Sequence, residues 1–109
     1  MIVVDSSVWI DHFTGRGNVF TALLARSVAQ ARELVIGDVV LYEVLCGYRD
    51  ERAYRAVRAD LETFPIVTMT GLARFEIALA NHRRLRRRGV TATMADMLIG
   101  SFCFSERAA

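Results

Sequence analysis

The chain has 109 residues, of which 53% are hydrophobic and 24% are charged, and its formal net charge is +2. This length and composition fit one globular domain with a modest core, and they exclude a disordered chain. The sequence lacks an apolar run of the roughly 18 residues that a membrane helix needs, and acids near its start replace the basic residues of a signal peptide, so neither feature is predicted.

Candidate strands and helices alternate along the chain, marked by apolar periodicity and by residues that start or stop helices. In chain order the pattern predicts a strand at 1–4, a helix capped by Ser6 or Ser7 that ends before Gly15, and a helix at 19–32. A strand at 34–37 is predicted next, followed by a helix from an N-cap at Asp38 to Cys46 and a helix from an N-cap at Asp50 to Phe64. The last predicted elements are a strand at 66–68, a helix from Thr70 to Gly89, and a helix at 94–107 that Thr93 starts. The last helix is apolar on nearly every side and is therefore expected to be central to the fold.

Short apolar strands between helices indicate an α/β domain, here a three-layer arrangement in which helices flank a short, mainly parallel central sheet. Because no linker or repeat interrupts the pattern, residues 1–109 are expected to form a single domain. Cys46 and Cys103 lie in apolar stretches without metal-ligand spacing, so they are predicted to be core thiols of a cytoplasmic protein.

Asp5 directly follows the first predicted strand. In open α/β sheets, ligands bind beyond the carboxyl ends of the strands, so this is a position for a functional acid. The alternative is that Asp5 only caps the helix that follows it.

Glu43 shares a predicted helical stripe with Val39 and Val40, which precede it by four and three positions. A carboxylate on a buried stripe must be paired, protonated or bound to a cation. The alternative is that Glu43 lies at the edge of the stripe and reaches solvent or an arginine.

Asp96 is the only acid near the start of the last predicted helix, and Gly100, one turn later, leaves space for other groups to approach. The alternative is structural, because Thr93 followed three residues later by Asp96 resembles a capping box.

Asp5, Glu43 and Asp96 each open or line an element that should converge at one end of a parallel sheet. Three adjacent carboxylates would repel one another, and a hard divalent cation such as Mg²⁺ removes that penalty. The sequence contains no His and Cys cluster with the spacing of a zinc site. These residues therefore predict a carboxylate-bound divalent metal.

Three segments, MIVVDSSVW, VVLYEVLCGY and GVTATMADMLIG, resemble in order and spacing the acidic motifs of PIN domains of the VapC toxin type. The resemblance implies a PIN-like, Rossmann-like fold and a Mg²⁺- or Mn²⁺-dependent endoribonuclease. Carried onto this sequence, it implies Asp5, Glu43 and Asp96 as catalytic metal ligands, and Ser6 as a hydroxyl that helps to hold the site or the substrate phosphate. An RNA substrate, a cognate antitoxin that blocks the site, and a second copy of the chain in a homodimer are the implied partners.

Members of that family normally continue into a further strand and a segment with a fourth acid, and neither is found in this sequence. We therefore expect a truncated chain or a degraded family member, with its first strand left at an open sheet edge. The departure does not touch the three motifs. It keeps a second interpretation open, namely a catalytically inactive PIN-like module that binds an antitoxin partner.

In the nuclease hypothesis, the cation binds a phosphate oxygen of the RNA and lowers the pKa of a bound water. In-line attack by that water leaves a 3′-hydroxyl and a 5′-phosphate. Two other chemistries fit less well. A histidine-pair mechanism would have only His12 and His82 to use, and a phosphatase of the haloacid-dehalogenase type would need an acid where Ser7 stands.

All 14 basic residues of the chain are arginines, and nine of them form two groups of different character. One group crowds the predicted end of the long helix: Arg83, Arg84, Arg86, Arg87 and Arg88. These arginines either form a solvated face that complements the helix dipole, or follow RNA phosphates, or contact an acidic antitoxin segment. The other group recurs every three residues and is predicted to be a solvated face: Arg49, Arg52, Arg55 and Arg58. Trp9 is predicted to be a core or interface residue rather than a base-stacking platform.

Overall fold

In the computed structural model, which describes residues 1–108, each of three short strands is followed along the chain by a helix. The strands are β1 (Ile2–Val3), β2 (Leu34–Gly37) and β3 (Ile66–Val67). The helices are α1 (Ser6–Thr14), α2 (Val19–Ala29), α3 (Asp38–Leu45), α4 (Glu51–Leu61), α5 (Leu72–Arg87) and α6 (Met94–Ser105). The order of elements confirms the predicted α/β class.

Within residues 1–108 the sheet is three-stranded and parallel, with β2 in the centre. Val3 of β1 is in register with Val35, and Gly37 of β2 is in register with Val67. Because the strands are parallel, the residues that follow them meet at one edge, which we call the carboxyl edge. Asp5, Asp38 and Met69 lie there, each within two residues of the end of its strand.

Two separate hydrophobic cores stabilise the domain. The main core surrounds β2 and lies between α1, α2, α3 and α4. Its most buried members include Trp9, Ile36, Val40, Val44 and Leu61. The hairpin core lies between α5 and α6 and consists of Ala78, Met97 and Leu98, with Val39 of α3 packed against it. The burial of Trp9 confirms the prediction made for it.

Helices α5 and α6 form an antiparallel hairpin. At one end Arg74 donates hydrogen bonds to Ser105 and to Glu106, and in the middle Asn81 donates one to the buried Ser101. The expectation that the last helix would be central to the fold is wrong for half of its surface. Only one face of α6 is buried, and the side chain of Phe104 is 87% exposed.

Several predicted helix ends are displaced. Helix α2 ends at Ala29 and α4 at Leu61, each three residues earlier than predicted. Helix α5 begins at Leu72 because Gly71, which precedes it, has a φ of 101°, a value that an L-residue rarely adopts. The predicted N-caps Asp50 and Thr93 are confirmed by their side-chain hydrogen bonds to Ala53 and Asp96.

The prediction that both cysteines are core residues is wrong for Cys46, which is exposed just beyond the end of α3, whereas Cys103 is half-buried. Among residues 1–108, no helix combines the length and apolar character needed to cross a lipid bilayer.

Candidate active site

Asp5 occupies the N-cap position of α1, where the chain leaves β1 in an extended conformation. Its side chain makes no capping bond, and one of its carboxylate oxygens instead accepts a 2.7 Å hydrogen bond from the hydroxyl of Ser7. The prediction that Ser6 or Ser7 caps the helix is therefore wrong by one or two positions. The exposed carboxylate of Asp5 is oriented by its neighbour and lies open to a ligand.

Glu43 is half-buried on α3, and its partner is a hydroxyl group. The buried Ser6 donates a 2.8 Å hydrogen bond from Oγ to Oε1 of Glu43. Val40 of the predicted stripe is fully buried and Val39 is half-buried, so the half-buried Glu43 lies at the edge of the core, where its carboxylate is paired with a hydroxyl group. This bond joins the first and second sequence motifs at the carboxyl edge.

Asp96 is exposed in the first turn of α6 and takes part in a capping box with Thr93. Thr93 Oγ1 accepts a 3.1 Å bond from the Asp96 amide, and Asp96 Oδ2 accepts a bond of 3.4 Å from the Thr93 amide. The structural alternative considered for Asp96 is thus confirmed. A 3.4 Å donor-acceptor separation is long for a hydrogen bond, so the carboxylate is held only weakly.

Asp5 and Glu43 adjoin side chains of the main core, whereas Asp96 adjoins Met97 and Leu98 of the hairpin core. Within the described part of the chain, no three His, Cys, Asp or Glu side chains are grouped so that they could hold a metal ion. The ligand chemistry nevertheless fits a hard divalent cation, because all three candidates offer carboxylate oxygens. The three carboxylates would have to come closer together than they lie here to share one ion.

Asp38 is the acid at the carboxyl edge whose role the sequence did not reveal. Predicted as an N-cap, it is in fact the first residue of α3, and its carboxylate bonds across the sheet edge. It accepts hydrogen bonds of 2.9 Å from the Val39 amide, 2.7 Å from the Met69 amide and 2.6 Å from the Thr70 hydroxyl. Its position directly after a buried strand was the sequence feature that could have marked Asp38 as a candidate site residue, as the position of Asp5 did for that acid. With both oxygens engaged, Asp38 ties β2 to the segment that follows β3.

The two histidines differ in setting. His12 lies within α1, where its ring packs against Trp9 and Phe13 at centroid separations of 6.1 and 5.0 Å. His82 lies on α5, in the other half of the domain.

Comparisons with known proteins agree with this architecture. Residues 2–109 match the PIN domain family. The ribonuclease VapC32 of Mycobacterium tuberculosis is 33% identical over 98 residues, which are 90% of this chain and 73% of that protein. The ribonuclease VapC11 of the same organism is 23% identical over 103 residues, 93% of this chain and 77% of its own length.

A solved structure has the same fold. A chain in the crystal structure of VapBC2 from Rickettsia felis bound to a DNA fragment from their promoter superimposes with a TM-score of 0.77. The alignment covers 99% of this chain and 84% of that one, with 18% sequence identity.

Proposed function

Because the chain belongs to the PIN-domain family, and within it to the VapC type, we propose that it is an endoribonuclease toxin that a cognate antitoxin neutralises. The observation that carries the proposal is the 2.8 Å hydrogen bond between Ser6 and Glu43, which brings two of the three acidic motifs together at the carboxyl edge. The names of the relatives support a ribonuclease, and the Rickettsia felis complex supports a protein partner. A homodimer is part of the same proposal.

The proposal assigns Asp5, Glu43 and Asp96 as the ligands of Mg²⁺ or Mn²⁺. When bound, the cation supplies Lewis acidity that activates water and stabilises charge on the phosphoryl group. Ser6 holds the Glu43 carboxylate in one orientation, and Ser7 does the same for Asp5. Because the Ser6 hydroxyl already donates its hydrogen bond to Glu43, Ser6 acts as a positioning residue rather than as a donor to the substrate phosphate.

The test is cleavage of a fluorescent single-stranded RNA by the purified full chain with Mg²⁺, Mn²⁺ or a chelator. We expect metal-dependent cleavage to a 3′-hydroxyl and a 5′-phosphate, reduced to background by D5N and E43Q. S6A should lose about tenfold to 100-fold, because it removes a hydrogen bond that orients a ligand. D60N, which neutralises an exposed acid on α4, is the matched control and should cleave normally. Equal cleavage by D5N and the unmodified chain would contradict the proposal, as would cleavage in chelator.

One observation favours a second candidate, an inactive PIN-like module that binds an antitoxin. Residues 1–108 contain no grouping of three acids that could hold a metal ion. Isothermal titration with Mn²⁺ separates the two candidates. A nuclease should bind the ion in a manner sensitive to Asp5→Ala and Asp96→Ala, whereas the inactive module should give no such heat.

A further inference from the structure

The carboxyl end of α5 carries five arginines within six residues, Arg83, Arg84, Arg86, Arg87 and Arg88, which we call the arginine patch. All five side chains are exposed. None of them forms an ion pair with any residue between 1 and 108. The patch is therefore a concentration of positive charge that the described part of the molecule does not neutralise.

Three arginines outside the patch are neutralised locally. On α4, Arg55 pairs with Glu51 at 3.2 Å and Arg58 with Glu62 at 2.7 Å. Hydrogen bonds to Glu62 and to Tyr54 raise the pKa of Arg58. Arg74, at the other end of α5, pairs with Glu106 at 2.8 Å. The patch differs from these pairs in that five arginines without a carboxylate partner among residues 1–108 lie within six consecutive positions.

The helix dipole accounts for only part of this arrangement. A cation in the last turn gains about 0.3–1 kcal/mol from the dipole, and the benefit is confined to that turn. Like charges spaced three or four residues apart on a helix repel one another by similar amounts. A cluster of five is thus close to neutral or unfavourable for folding, and its charge is available to an external anion.

The patch borders the candidate active site. Leu85, within the arginine run, packs against the hairpin core formed with Met97, the residue after Asp96. Val39, the residue after Asp38, packs against the same core. The end of α5 therefore lies beside the start of α6, the element that carries Asp96.

We propose that the arginine patch is a sequence-independent binding surface for the RNA phosphate backbone that leads the substrate to the acids of the carboxyl edge. The inference rests on the proposed function. Guanidinium groups bind phosphate in a bidentate manner, which suits this composition. The carboxylates of the site repel a polyanion when no cation is bound, and a neighbouring positive surface raises the local concentration of RNA. Residues 83–88 include no aromatic side chain on which bases could stack, so the contact is to the backbone.

The experiment measures binding rather than cleavage. Fluorescence anisotropy of a labelled oligouridylate is recorded with the full chain in chelator over a range of salt concentrations. R84Q/R88Q removes two patch arginines. R26Q/R32Q is the matched control, since both arginines are exposed and unpaired among residues 1–108. Arg26 lies within α2, and Arg32 lies between α2 and β2.

For R84Q/R88Q we expect the slope of log affinity against log salt to fall by about 1.4, and the affinity at 0.1 M salt to fall by about 25-fold, as for two lost phosphate contacts. R84K/R88K should largely retain the slope, and R26Q/R32Q should match the unmodified chain. Circular dichroism checks folding, and R83Q/R87Q carries the same test if R84Q/R88Q unfolds.

Equal losses of RNA affinity in R84Q/R88Q and R26Q/R32Q, or no loss in either variant, would overturn the proposal that the arginine patch binds RNA. It would also be overturned if R84Q/R88Q lost binding to polyglutamate while keeping its affinity for RNA, since the partner would then be an acidic protein segment. Cleavage is scored separately. An unmodified chain that binds RNA through the patch without cleaving it refutes the proposed activity alone, whereas normal cleavage with patch-independent binding refutes the inference alone.

Discussion

Among single residues, Asp38 illustrates how one carboxylate can organise a sheet edge. Its oxygens accept bonds from a neighbouring amide and from two residues more than thirty positions away. Met69, one of these partners, has a completely buried side chain that fills the space left by Gly37, where a Cβ would collide with its Sδ and Cε atoms. Asp38 thus fixes the position of a core side chain as well as the start of α3.

We predict that Asp38→Ala lowers the free energy of unfolding by about 2–3 kcal/mol, because it leaves the Met69 amide without its acceptor and removes charge-assisted bonds. Urea denaturation measures the change. Glu76→Ala, which removes an exposed acid from α5, should stay within about 0.5 kcal/mol of the unmodified chain. A similar stability for both variants would show that the Asp38 bonds contribute nothing net.

The two thiols should react at different rates. Cys46 is exposed, whereas burial raises the pKa of the Cys103 thiol. At a given pH a smaller fraction of Cys103 is thiolate, the reactive form, so its alkylation should be slower and should accelerate at a higher pH than that of an ordinary thiol. Iodoacetamide kinetics on C103S and C46S, each with one remaining thiol, test this. The difference should vanish in 8 M urea; faster reaction of Cys103 in the folded chain would contradict it.

The sequence identifies candidate acids better than it identifies their partners. Asp5 and Glu43 are recognisable because an acid after an apolar strand, or on an apolar stripe, stands out among the few residues on either side of it in the sequence. The partner of Glu43 cannot be recognised in this way, because Ser6 lies 37 positions away and is brought to Glu43 by the packing of α1 on α3. Likewise, nothing local to Asp38 indicates that Thr70 is its partner.

At the scale of elements, every predicted strand and helix exists, and the errors are at their ends. Because one face of each strand or helix is buried, its apolar residues recur at the period of that element, and this period can be read from the sequence. The ends of helices depend instead on which partners hydrogen-bond to the terminal backbone groups, and the apolar period does not record this. Thr70 was predicted to start α5, but its hydroxyl donates to Asp38 and Gly71 breaks the helical geometry, which moves the start to Leu72.

The start of α6 allows the capping and proposed ligand roles of Asp96 to be separated. Thr93→Ala should destabilise the chain by about 1 kcal/mol through loss of the cap while leaving metal-dependent cleavage intact. Asp96→Asn keeps an oxygen that can accept the Thr93 amide, so it should retain stability but lose cleavage. Urea titration and the RNA assay together test the pair. Wild-type cleavage by Asp96→Asn would remove Asp96 from the site.

For the whole molecule, the division into two cores is the main feature that the sequence did not predict. The apolar pattern of α6 suggested a central helix, whereas its buried face packs chiefly on α5. The pattern counts apolar residues but does not say which neighbour covers them, and the side chains of Met94 and Phe104 stay exposed. The parallel α/β architecture was predictable because strand and helix periods alternate regularly.

We expect the hairpin to open at a lower free energy than the rest of the domain. Its core has three buried residues, compared with nine in the main core, so less apolar surface opposes local opening. Native-state hydrogen exchange should therefore show lower protection for α5 and α6 than for β2 and α3. Uniform protection across these four elements would indicate one cooperative unit.

The contact of Val39 with the hairpin core has a thermodynamic consequence for ligands. Val39 of α3 packs on the hairpin core and Ile99 of α6 packs on the main core, and these contacts join the two units. Where such contacts are weaker than the cores themselves, a molecule that touches only one unit protects mainly that one. A molecule that binds Asp5 or Glu43 together with Asp96 would contact both units, so the main core and the hairpin core would unfold in one cooperative transition. The sharpness of the thermal transition thus reports whether the three acids are engaged at once.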